Sequence, residues 1–133
     1  MSETLPLCVV AAQIERAGRF LITQRRPGAV LPLLWEFPGG KLEEGETKIQ
    51  CLTRELEHRI GVEVQDVVKS MEVLHPYSGY TLRLVVYRCT LSAEQEPQAL
   101  NCHAVKWVLP EELAEHEFPG ADQESVDQLL GLY

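Results

Sequence analysis

Residues 40–62 read GKLEEGETKIQCLTRELEHRIGV, and the local chemistry of this stretch specifies a loop feeding a helix. Thr47 stands three residues ahead of Gln50, the spacing of a capping box, and Ile49, Leu52, Leu56 and Ile60 recur at helical intervals before Gly61 ends the run. The pattern predicts one amphipathic helix over residues 48–60. At about 100° per residue, Glu55, His58 and Arg59 share a face beside the apolar one, with Cys51 near His58 and Glu57 almost opposite. Ahead of the helix, Pro38-Gly39-Gly40 and Gly45 allow unusual backbone angles and close approach to a ligand, and Lys41 adds a positive charge. A glycine loop that opens onto a helix N-terminus suits a phosphate.

Working outward, Leu7 to Ile14 reads as a buried strand, and Arg16-Ala17-Gly18-Arg19 as a turn. Phe20 to Gln24 returns as its hairpin partner. Trp35-Glu36-Phe37-Pro38 is a short strand or extended lead-in to the glycine loop. After the helix, Val62 to Leu74 reads as a strand and His75 to Tyr80 as a turn. Thr81 to Leu91 follows as the best-defined strand, with Leu82, Leu84 and Val86 on one face and Arg83, Val85 and Tyr87 on the other. A polar loop spans 94–101, a strand around Trp107 spans 104–109, and Pro110 to Leu113 opens a short acidic helix. A last helix runs from Asp122 or Gln123 to Leu130, burying Val126, Leu129 and Leu130. Hairpins with helices between and after them predict an α/β class, an α/β/α sandwich around a mixed β-sheet.

The chain has 133 residues, 45% of them apolar, which predicts a single domain over 1–133 with a real core. Its net charge of -8 excludes non-specific nucleic-acid binding and attraction to anionic membrane, both of which need a surplus of Lys and Arg. No apolar run reaches membrane-spanning length and the start lacks a leader pattern, so a cytoplasmic location is expected. Cys8, Cys51, Cys89 and Cys102 lack paired spacing and are expected as free thiols.

Gly40, five residues, Glu46, seven residues, Arg54-Glu55-Leu56 and then Gly61-Val62 resemble the signature of the Nudix hydrolases. The run Trp35 to Lys41, WEFPGGK, is similar to the MutT and CTP pyrophosphohydrolase branch of that family. The likeness extends from the first strand to Phe118-Pro119-Gly120-Ala121-Asp122. It implies the Nudix fold and a Mg²⁺-dependent attack of water on the diphosphate of a nucleotide, with metal held by helix carboxylates. The departure is at residues 58 and 59, where the family pattern has two glutamates and this chain has His58 and Arg59.

Carried over by resemblance, the Gly39 carbonyl and Glu55 are metal ligands, Glu46 and Arg54 brace the loop against the helix, and Lys41 faces phosphate. Asn101 stands where relatives often place a further loop Glu. The remaining donors imply a weak Mg²⁺ site. Arg59 has two readings: a fork for phosphate oxygens, or a pair with Glu55 four residues earlier on a solvated helix. His58 is either a surface residue or a ligand with Glu55 in a softer Mn²⁺ or Zn²⁺ site that would draw on Cys51, Cys102 and His103. For the base the likeness points to Phe118 and Asp122, and it brings in Arg25, set with Lys41 and Arg59 on the phosphate side. Asp122 reads equally as the N-cap of the last helix, and Trp35 and Phe37 as base stackers or core. The expected function is a protein, monomeric or homodimeric, that binds nucleoside di- or triphosphates and in which catalysis is weak or absent. The alternatives are a pyrophosphohydrolase with altered metal ligation through Glu55 and, third, a scaffold that has lost its ligand.

Overall fold

The computed structural model describes residues 7–130. Strand β1 (Leu7–Arg16) turns through Ala17-Gly18, both at positive φ, into β2 (Arg19–Gln24). Two short strands follow, β3 (Trp35–Glu36) and β4 (Gly39–Lys41), and then helix α1 (Lys48–Ile60). The hairpin β5 (Gln65–Tyr77) and β6 (Tyr80–Thr90) comes next, followed by β7 (Ala104–Val108), a 3-10 helix (Pro110–Glu115) and α2 (Gln123–Leu130). All seven strands join one sheet in the order β3-β2-β1-β6-β5, with β4 pairing to the start of β1 and β7 to β2. Only β1 and β6 run parallel, from Leu7 opposite Leu82 to Glu15 opposite Thr90. The sheet is therefore mixed, as the pattern of hairpins and intervening helices predicts.

The core follows from strand alternation. Cys8, Val10, Ala12 and Ile14 of β1 and Val85, Tyr87 and Cys89 of β6 point to one face, where they meet Cys51, Leu52, Leu56 and Ile60 of α1 in a single buried cluster. The opposite face meets α2. Lys41, the cross-strand partner of Val9, extends from that side to the Leu130 carbonyl at 3.5 Å, and Tyr80 donates to Asp127 at 2.6 Å.

Helix α1 occupies the predicted residues, and its capping box and left-handed Gly61 cap are both formed. Its buried stripe differs from the predicted one. Ile49 is 46% exposed, while Cys51 and Glu55 are buried with Leu52, Leu56 and Ile60. The helix meets the sheet along the side facing β4, which the apolar spacing did not specify. Strand β5 starts and ends three residues later than expected, because the hairpin closes at Ser78-Gly79 with Tyr77 stacked on Tyr80 at 5.4 Å. Pro76 is tolerated within the strand since β5 is an edge strand. In α2, Val126 and Leu130 are buried and Leu129 is half-buried.

Candidate functional site

The glycine loop and the start of α1 are joined by one arginine. Arg54 donates to both oxygens of Glu46, from Nε at 2.6 Å and from Nη2 at 3.2 Å. It also reaches Glu43 at 3.2 Å, the Lys41 carbonyl at 3.4 Å and Glu55 Oε2 at 2.9 Å. Glu46 closes the loop on itself by accepting from the Glu43 N–H at 3.0 Å. The Arg54 guanidinium and the Glu43 backbone hold the Glu46 carboxyl down to about 2, and Glu46 in turn raises Arg54. This is the loop-to-helix brace that the resemblance implies.

Glu55 lies beneath that brace and is 7% exposed. A Cβ added at Gly40 would sit 2.3 Å from Glu55 Cδ and 2.4 Å from Oε2, so the glycine provides the seat of this carboxylate. Gly39 is needed for a different reason, since a Cβ there would come within 2.0 Å of the Val10 carbonyl oxygen across the β1 to β4 pairing. Each oxygen of Glu55 accepts from a guanidinium: Oε2 from Arg54 at 2.9 Å and Oε1 from Arg59 Nε at 2.7 Å. Buried carboxylates are normally paired in this way, and here two cations hold one anion.

That arrangement bears on the metal which the resemblance implies. A hard divalent ion needs several free oxygens, yet the one helix carboxylate at this place has both oxygens engaged by positive groups. Among the described residues, no three His, Cys, Asp or Glu side chains gather where one ion would be held. The donor set does not fit a carboxylate-bound Mg²⁺ cluster. The softer alternative fails for a geometric reason. Cys51 is buried, with Sγ directed to the Lys41 carbonyl at 3.5 Å, and burial pushes its thiol up to about 12. His58 is exposed instead and lines an open depression on the outer side of α1 with Ile49, Gln50, Thr53, Arg54 and Glu57. It shares that surface with Glu57, so the expected grouping of His58 with Glu55 and Cys51 is corrected. Cys102 is half-buried and its Sγ lies 3.6 Å from the Ala104 carbonyl.

Asn101 has a structural task that its spacing did not reveal. Its side-chain amide donates to the His58 carbonyl at 2.8 Å and its N–H to the Arg59 carbonyl at 3.1 Å, so the loop closes the C-terminal turn of α1. The remaining residues expected at the site are engaged elsewhere. Arg25 donates to the Val30 carbonyl at 2.8 Å and pairs with Glu36 at 3.3 Å. Lys41 is exposed on β4. Phe118 lies 6.0 Å from Phe37, whose ring meets Phe20 edge-on, and Trp35 packs edge-on against His116. Both oxygens of Asp122 accept from Ser125, one from its N–H and one from its hydroxyl, each at 2.9 Å, which is an N-cap of α2 and lowers the carboxyl's pKa. Sequence reasoning missed the Gly40 seat, Glu36 as the partner of Arg25 and the capping role of Asn101. The adjacent glycines were the only advance signal of the first.

A family model described as the NUDIX domain matches residues 9–128. A protein of Escherichia coli named CTP pyrophosphohydrolase is 34% identical over 126 residues, covering 93% of this chain and 91% of that protein. An 8-oxo-dGTP diphosphatase of Haemophilus influenzae is 33% identical over 126 residues, with 91% and 90% covered. The solution structure of the E. coli ORF135 protein superposes with a TM-score of 0.68 at 31% identity, covering 97% of this chain and 91% of that one.

Proposed function

This chain belongs to the Nudix family, in its MutT-like branch, and on that premise we propose that it binds nucleoside di- or triphosphates while hydrolysing them slowly or not at all. The observation that carries this reading is Glu55, buried with one guanidinium on each oxygen. The helix position after His58, where the family signature has a carboxylate, carries one of those two guanidiniums. Phosphoryl chemistry depends on stabilising developing negative charge with correctly held cations, and among the described residues no cluster of carboxylates gathers to support such a cation. We read the chain as one Nudix domain. Among the described residues no helix is long and apolar enough to cross a membrane, and the four free thiols are compatible with the reducing cytoplasm in which we place it.

A second reading, a working pyrophosphohydrolase with altered ligation, is favoured by one observation: the Glu46 to Arg54 brace is complete. The relatives named for CTP and 8-oxo-dGTP suggest the substrates to try. Hydrolysis of a nucleotide panel with Mg²⁺ and with Mn²⁺, alongside binding by calorimetry, tests both. Turnover far below about one per second with measurable binding is expected; turnover near that rate on any standard triphosphate overturns the first reading in favour of the second.

A further inference from the structure

The residues that disagree with a metal cluster carry a proposal of their own. We infer that the guanidinium of Arg59 stands in for a divalent cation, so that this site holds the polyphosphate of a nucleotide without metal. The inference rests on the nucleotide-binding reading above and specifies how that ligand is gripped.

Arg59 uses only one of its nitrogens on the protein. Its Nε donates to Glu55 Oε1 at 2.7 Å, and neither Nη atom has a protein acceptor among the described residues. About a third of the side chain, 33%, is open to solvent. A planar guanidinium anchored at Nε presents its Nη pair as a rigid fork, the geometry that suits two phosphate oxygens. Arg54 is different, because Nε, Nη1 and Nη2 are all engaged by Glu46, Glu55, Glu43 and the Lys41 carbonyl. Arg54 and Glu55 are positioning residues: one braces the loop, and the other fixes the direction of Arg59. Replacing two carboxylates by a guanidinium and an imidazole also makes the local field less negative. A phosphate approaching helix carboxylates is repelled unless a cation bridges them, whereas at this helix end it meets the cation directly. Lys41 extends from the opposite face of the sheet to the Leu130 carbonyl at 3.5 Å and takes no part in this grip.

The test is titration calorimetry of the full chain with CTP, dGTP and inorganic tripolyphosphate, first in EDTA and then with excess Mg²⁺. Two variants are included: Arg59→Ala, and Arg59→Gln, which keeps an N–H donor for Glu55 but no charge and guards against loss of folding in the first. Wild type is expected to bind in EDTA, with at most about a threefold change on adding Mg²⁺, and both variants are expected to lose at least about tenfold in affinity, as for a charged hydrogen-bonded contact. Unchanged affinity in the folded variants overturns the inference and leaves Arg59 as the partner of Glu55 only. Wild-type binding that requires Mg²⁺ also overturns it while leaving the nucleotide-binding function standing. Absence of binding under both conditions overturns both.

Discussion

Rebuilding the family's two carboxylates, by His58→Glu and Arg59→Glu together, should raise Mg²⁺-dependent hydrolysis of nucleoside triphosphates at least tenfold over wild type. The structure divides that gain unequally. Arg59 holds Glu55 Oε1 at 2.7 Å, a charge-assisted bond of the kind that contributes about 1.5–3 kcal/mol when well shielded. Its side chain is 33% exposed, so solvent screening reduces this to about 1–2 kcal/mol. A cation seeking that oxygen must first displace the guanidinium. Removing it returns roughly tenfold, since about 1.4 kcal/mol corresponds to one decade, and the new carboxylate adds to the gain. His58 is exposed on the outer side of α1, and His58→Glu alone should change the rate by no more than about twofold. Steady-state release of pyrophosphate or phosphate from dGTP and CTP measures the rates. Melting curves give an independent readout: Arg59→Glu places a carboxylate four residues from Glu55, so the variant should melt below wild type in EDTA and recover with Mg²⁺. A double variant with neither faster hydrolysis nor a Mg²⁺-dependent rise in melting temperature would refute the reasoning.

Three further expectations concern the brace and the helix. The Glu46 carboxyl is lowered from its usual 4.5 to about 2 by Arg54 and the Glu43 backbone; a depressed folded value stabilises above the unfolded one, so the brace should be intact above about pH 4.5 and be lost as pH falls toward 2. Carboxyl carbon NMR of Glu46 checks this, and titration near 4.5 would remove the brace from the account. Gly40→Ala should cost at least about 2 kcal/mol, because the new methyl displaces a buried paired carboxylate, whereas Gly28→Ala, with nothing within 4 Å of the added Cβ, should not; equal urea midpoints would contradict the Glu55 seat. Thr47→Ala removes the 3.1 Å bond to the Gln50 N–H and should cost about 1 kcal/mol in urea unfolding, with no loss at all counting against the capping box.

What the amino-acid order determined by itself was local. The bounds of α1, its capping box and its Gly61 stop depend on side chains within a few residues of one another, and they stand where the spacing placed them. The Glu46 to Arg54 brace was implied by the family resemblance rather than by local chemistry, and the structure forms it. The tertiary structure decided what depends on contacts between distant segments. Which side of α1 is buried was set by packing against β1, β4 and β6, so Ile49 faces solvent and Glu55 faces Gly40. The hairpin of β5 and β6 closes later than the turn residues suggested because Tyr77 and Tyr80 stack and tie to Ala121, two residues ahead of α2, and to Asp127 within it. Asn101 caps a helix that ends 41 residues earlier in the chain, at Ile60, a partnership no local pattern encodes. At the site, the sequence placed Arg59 four residues after Glu55 but left open whether the two were only a solvated pair. The fold buries the carboxylate and engages its second oxygen with Arg54. One carboxylate then carries two guanidiniums, because a buried anion needs compensation on each oxygen that water cannot reach.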